Sequence, residues 1–399
     1  MLIFRLYSLF WEGIFLLERE RERRAGSGFP TERDLSGQGS TPVLATPGIQ
    51  KGHWDDREDP QSPRGLRPAS PSPDMTSPPA NVTCVLRPPS FTLRGLSGQE
   101  AADFWLAFPL LALYLVSVVG NATIVWVVRA EASLHAPKYL FLGMLAGVDL
   151  ALATCTMPRM LSLFWLDDRT IGYGACLLQM FFIHSLSGVE STVLLAMAVD
   201  RYVAICRPLQ YSALLTRSRA AKVGLGAVAR SLAFFLPLPP MVDRLAFCGR
   251  SQLAHPFCLH QDLMTLSCHP APTLPNRVYG LAAILLVMGL DGLLVFLSYL
   301  LILAAVLRLP TREERCRAAS TCLAHVCMVL AFYVPLVGLS VVHRLGDGSH
   351  HPVLHVTLSC LYLLLPPVLN PIVYGARMTE IRHRALKMVG RRPLRPQAH

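Results

Sequence analysis

Five groups of residues in this 399-residue chain could do chemistry. Asp200-Arg201-Tyr202 sets a carboxylate beside a guanidinium at the close of a long apolar run. Such a pair can hold one state and release it when helices shift, freeing the guanidinium for a partner in an opened cleft. Asp149 and Glu190 are carboxylates in apolar surroundings, where ionisable groups are costly and mark functional sites by default. Asn370-Pro371-Ile372-Val373-Tyr374 combines a helix break with polar neighbours, because proline removes an intrahelical hydrogen bond and permits a pivot. Cys176, Cys248, Cys258 and Cys268 allow three disulfide connectivities, and spacing alone does not choose among them. His255, Cys258, His260, Cys268 and His269 raise the question of zinc. No CxxC pair supports it, and two of the cysteines are better used in disulfides. There is no Gly-rich phosphate loop, nucleophile elbow or HExxH, so no enzyme is indicated.

The elements that must carry these groups are membrane spans. The chain is 52% hydrophobic and 16% charged, with mean hydropathy +0.40, against roughly 25% charge in ordinary soluble domains. Phe104–Val128, Ala318–Val342 and Val353–Ala376 hold no Asp, Glu, Lys or Arg over 24 or 25 residues. A helix needs about 20 residues to cross the hydrocarbon core. Four further spans fall at about Tyr139–Pro158, Gly174–Val199, Val223–Val242 and Val278–Leu307. The expectation is therefore an all-α membrane protein, a bundle of seven transmembrane helices. A soluble enzyme, a disordered scaffold and a disulfide-stapled secreted module are excluded. The net charge of +11 reports membrane orientation rather than nucleic acid.

Seven spans place the termini on opposite sides. Lys and Arg crowd the joints after spans one, three and five and the tail, for example Arg207, Arg217, Arg219, Lys222, Arg312, Arg315, Arg317, Arg382 and Arg384. By the positive-inside rule the tail is cytoplasmic and the N-terminus extracellular. Asn81-Val82-Thr83 is then an external glycosylation acceptor, and the four cysteines named above lie on the oxidising side. Residues 1–74 read as a disordered extension or a mistaken upstream start, 75–103 as the extracellular N-terminus, 104–376 as the seven-span domain and 377–399 as the cytoplasmic tail. Within that tail Thr379–Val389 sets Ile381, Ala385, Leu386 and Met388 among Arg382, Arg384 and Lys387. That pattern fits a short amphipathic helix on the inner leaflet.

The motifs converge on one family. They are Gly120-Asn121, Leu142-x6-Asp149, Met197-Ala198-Val199-Asp200-Arg201-Tyr202-Val203-Ala204-Ile205-Cys206, Ser320-Thr321-Cys322-x2-His325 and Pro366-Pro367-x2-Asn370-Pro371-Ile372-x-Tyr374-Gly375. Over about residues 88–390 the chain resembles rhodopsin-like G-protein-coupled receptors, specifically odorant receptors of the fish-like class I group. Lys138 and Arg207 depart from the family's usual residues, but both sit at the membrane–cytosol boundary, where a cation is tolerated.

The resemblance implies a receptor for a small volatile or polar odorant, a carboxylic acid among the candidates. It implies coupling through a heterotrimeric stimulatory G protein to cAMP, in the plasma membrane of olfactory sensory cilia, with membrane lipid as a further partner and no nucleic acid. It pairs Cys176 with Cys258, leaving Cys248–Cys268. It turns Asp149 and Glu190 inward, where with Asn121 and Asn370 they could share a structural Na⁺; no other cofactor is implied. It places the ligand beneath the second external loop, drawing His184, Gln261, Ser340 and Arg344 into the site, with Asp262 beside Gln261 and Phe181, Leu290 and Leu339 for a carbon tail. Arg344 is the sharpest candidate for a carboxylate anchor, since a guanidinium takes a carboxylate bidentately; the alternative is that it snorkels to the outer headgroups or pairs with Asp347. A chemosensor outside the nose, or less plainly a seven-span transporter or channel, are the alternatives. No internal repeat of the transporter kind is visible.

Overall fold

The computed structural model describes residues 86–95, 100–247, 249, 251–268, 270–345 and 352–390, all within one compact unit, Pro78–His399. Asn81, Cys248, His269, Asp347 and the side chain of Arg344 lie outside the described residues. Seven helices among the described residues are long and apolar enough to cross a membrane.

In chain order they are α1 (Glu100–Ala130), α2 (Pro137–Leu166), α3 (Tyr173–Cys206), α4 (Arg217–Phe235), α5, α6 (Arg312–Leu345) and α7 (Pro352–Arg377). The fifth, α5, runs through Pro270–Ile284 and Leu290–Leu307 with a π turn, Leu285–Gly289, between them. A short helix, α8 (Thr379–Gly390), follows α7. Among the spans α3 is the most buried, which makes it the axis of the bundle. Leu, Val and Phe facing outward on α1, α5 and α6 are exposed, as a lipid-facing surface requires.

Most of the spans run past their sequence expectation, and two of them show why. Pro158 does not end α2, which continues to Leu166 and stops where Asp167 takes a left-handed conformation, φ 51°. The extension carries Arg159, whose guanidinium reaches Asp168 at 2.7 Å and the carbonyls of Asp168 and Thr170. The α4 region begins at Arg217, where Thr216 accepts the Arg219 amide as an N-cap, and a separate turn, Leu238–Val242, completes the span.

Two short strands accompany the helices. At the end opposite the tail, β1 (Ser90–Thr92) pairs antiparallel with β2 (Thr170–Gly172), with Phe91 opposite Ile171. Strands of three residues show no readable alternation. This ladder, with Phe91 packed edge-on to Phe247 at 5.5 Å, ties the N-terminal segment to the loops beside α3.

Candidate functional site

The Cys176–Cys258 disulfide is present, with Cα atoms 5.5 Å apart. It hangs the loop after α4 from the first turn of α3. Gln179, one turn further along α3, accepts the Cys258 amide at 3.0 Å and donates to the Cys155 carbonyl at 3.1 Å. Cys268 is also disulfide-bonded, while its expected partner Cys248 lies outside the described residues.

The bridge brings the next loop residues down onto α3. His184 is buried, stacks on Phe235 of α4 at 5.8 Å, and accepts the His260 amide at 3.4 Å. His260 opens a six-residue helix, His260–Thr265, and its burial lowers its pKa to about 4. Gly280 on α5 makes room for it, since a Cβ there would sit 2.7 Å from the His260 ring. Gln261 follows, half-buried. Asp262 is not available to a ligand: it is buried against His255, 2.6 Å away. The Ser340 hydroxyl donates to the Leu336 carbonyl of its own helix at 2.8 Å. Leu339 is buried, but Leu290 is 45% exposed on the outer face of α5, so it does not serve a carbon tail there.

In mid-bundle Asp149 and Glu190 are both buried. Asn370 donates to Asp149 at 2.5 Å. Asn121 donates to the Ser117 and Pro367 carbonyls at 2.9 and 2.8 Å, across a contact so close that a Cβ on Gly120 would lie 2.4 Å from Pro371. One oxygen each of Asn121, Asp149, Glu190 and Asn370 is buried with no hydrogen-bond partner. Two carboxylate and two amide oxygens are the hard donors that an alkali or alkaline-earth cation takes, so the set fits Na⁺.

A second polar cluster was not anticipated. Arg230 of α4 pairs with Asp291 of α5, and the guanidinium also reaches Thr192 at 2.7 Å and the Val287 carbonyl at 3.3 Å. Ser191 and Thr192 of α3 approach the same Asp291 oxygen at 3.1 Å. Tyr333 of α6 reaches Ser191 at 2.8 Å and the Met288 carbonyl at 3.3 Å. Both carbonyls belong to the π turn of α5, whose wider winding leaves them free to accept side-chain bonds. Three helices thus meet on one carboxylate, and α6 joins them through Ser191. The signal was visible as two opposite charges inside spans four and five.

At the tail end Arg201 lies 3.8 Å from Asp200, with side chains 14% and 3% exposed. Asp200 also accepts the Tyr211 hydroxyl at 2.8 Å. His325 of α6 bonds the Leu194 carbonyl of α3 at 3.1 Å through Nε2, which must therefore donate, and its Nδ1 accepts from Tyr299 of α5 at 2.7 Å. Tyr202 stands with Tyr299, Ile205 and Leu309 against Ile302, Val306 and Cys322. Below this, a cleft of about 210 Å³ is lined by Met197, Arg201, Ser320, Thr321, His325 and Tyr374, among others. The Tyr374 hydroxyl is buried without a partner. The motif residues Arg201, Asn370, Pro371 and Tyr374 so divide between two levels: Asn370 faces Asp149, while Tyr374 reaches the cleft beside Arg201.

A seven-helix bundle with a bridged loop at one end, a polar midplane and an arginine-lined cleft at the other defines a rhodopsin-like G-protein-coupled receptor. The crystal structure of squid rhodopsin matches it with TM-score 0.58 at 16% identity, covering 75% of this chain and 90% of that one. Residues 110–392 match the olfactory receptor family. Human olfactory receptor 51E2 is 56% identical over 306 residues, 77% of this chain and 95% of that protein. Human olfactory receptor 51E1 is 55% identical over 298 residues, 75% of this chain and 92% of that protein. The chain belongs to the olfactory receptor family: a signalling receptor and not an enzyme, multi-pass in the plasma membrane, with an odorant as ligand and a G protein as partner.

Proposed function

We propose that this receptor answers small carboxylic acids and signals through a stimulatory G protein to raise cAMP, in the cilia of olfactory sensory neurons. The bridged loop and the N-terminal segment, glycosylated at Asn81, form its extracellular face, and α8 rests on the inner leaflet. The observation that carries the acid reading is the seating of the loop. Cys176–Cys258 presses His260 against His184; in this reading Gln261 sits at the lid of the ligand site and the outer end of α6, from Ser340 to Arg344, forms one wall. Residues four apart share a helix face, so Arg344 follows Ser340 as the cation for a carboxylate head. Na⁺ held by Asp149 and Glu190, with Asn121 and Asn370, supplies a positive charge that joins α1, α2, α3 and α7; Arg201 with Asp200 and Tyr202 forms the switch at the G-protein face.

A cAMP-reporter panel of acids, esters, alcohols and aldehydes in transfected cells tests the ligand class. Acids are expected to dominate, with Arg344→Ala removing the acid response and Arg344→Lys weakening it at unchanged surface expression. An Ala variant that answers acids normally rejects the anchor. Arg201→Ala is expected to silence cAMP while the receptor still reaches the surface.

A further inference from the structure

The loop after α4 closes on itself between His255 and Asp262. The His255 Nδ1–H donates to one Asp262 oxygen at 2.6 Å, and both side chains are 1% exposed. His255 is tied in turn to the N-terminal segment. The Arg94 amide donates to its carbonyl at 3.3 Å, beside the bonds from Thr92 to Ser251 at 2.7 Å and from Leu253 to Thr92 at 2.8 Å. Asp262 stands in the first turn of the helix His260–Thr265. A helix of that length does not hold itself, and Leu259 before it supplies no side-chain cap. Two bonds to residues outside it hold its first turn instead, the His260 amide on His184 and Asp262 on His255.

Between those two anchors stands Gln261, half-buried, whose side chain makes no hydrogen bond among the described residues. Its orientation is therefore set by its neighbours. One of them is a carboxylate with one oxygen on His255 and the other buried without a partner. A buried carboxylate so poorly supplied is costly to keep, and its inward place depends on the imidazole. Released, Asp262 would turn toward water and set a negative charge beside Gln261, where an anionic ligand is repelled. We propose that His255 is a specificity-determining positioning residue: it holds Asp262 inward, which keeps that carboxylate off the ligand site and Gln261 over it, so that the site admits carboxylates. His255 itself touches no ligand. The choice of ligand class rests on the acid reading above; the masking of Asp262 does not. A bond that served stability alone would, once broken, weaken acids and neutral ligands alike, whereas masking discriminates by charge.

The test uses full-length receptor in transfected cells, with straight-chain carboxylic acids and their methyl esters as probes and surface expression measured for every variant. His255→Ala is expected to lower acid potency about tenfold relative to the esters. His255→Asn, which keeps a donor, should stay near wild type, and His255→Ala/Asp262→Asn, which removes the charge, should restore the acids. A second arm needs no agonist. Gln261→Cys places a thiol at the lid, and mass spectrometry reads its labelling by an anionic and by a cationic methanethiosulfonate, against receptor without that thiol. The anionic-to-cationic rate ratio is expected to fall about tenfold with His255→Ala and to recover with Asp262→Asn. Equal losses for acids and esters, or an unchanged labelling ratio in His255→Ala, overturn the proposal. Asp262→Asn in the otherwise native receptor keeps the hydrogen bond and guards against a misfolded His255→Ala. With the charge already masked it should leave the labelling ratio unaltered, and a rise of about tenfold overturns the proposal. If no acid activates the native receptor, the acid reading fails by itself, and the labelling ratio still decides the masking.

Discussion

Asp149 and Asp291 are the same residue, both fully buried in the middle of the bundle, and their surroundings differ in kind. Asp291 faces a guanidinium and two hydroxyls, so its charge is matched inside the protein. Asp149 meets one amide; each aspartate keeps one oxygen without a donor, and that of Asp149 lies with orphaned oxygens of Glu190, Asn121 and Asn370 nearby. A buried carboxylate has to be neutralised by a partner, a proton or an ion. One aspartate is supplied from within the chain, which makes it a structural joint among α3, α4, α5 and α6. The other has an amide and no guanidinium among its hydrogen bonds, and we propose that an exchangeable Na⁺ fills that role.

The largest effect is expected from breaking the matched pair. Arg230→Met leaves Asp291 unpaired in a dry interior and should cost roughly 3–5 kcal/mol, seen as loss of surface expression and a collapsed melting temperature. The double variant Arg230→Met/Asp291→Leu should recover most of that loss. If it melts no higher than the single variant, Asp291 is not the partner that matters.

Asp149 should behave in the opposite way. At Na⁺ about tenfold above its dissociation constant, binding stabilises the folded state by about 1.4 kcal/mol. Exchanging Na⁺ for choline should lower the wild-type melting temperature accordingly. Asp149→Asn should fold without the charge and lose that ion dependence. An equal shift in both proteins would remove the cation from this site.

The smallest effect separates joint from switch within the matched cluster. Tyr333→Phe deletes the hydroxyl that links α6 to Ser191 and Met288, at a cost of about 1 kcal/mol. If that bond holds α6 in its resting place, basal G-protein activation should rise about fivefold with little change in melting temperature. Unchanged basal activity would leave the cluster a purely structural joint.

The sequence by itself determined the seven spans and the chemistry at their ends. Charge-free runs of 24 or 25 residues have one outcome in a membrane, because every backbone amide must be satisfied within the helix. Asp200-Arg201-Tyr202 and Asn370-Pro371 were legible since their members are neighbours along the chain. What the tertiary structure alone decided lies between helices. It seated His260 on His184 through a bridge spanning 82 residues, gave Asp262 to His255, and turned Leu290 to lipid. It also matched Arg230 of one span to Asp291 of the next, where the sequence offered only two isolated charges. Hydropathy averages over a helix and loses its faces, whereas a buried charge is satisfied or orphaned by which face its neighbour presents. That choice belongs to packing, and it gave one aspartate of this receptor an arginine and the other an asparagine.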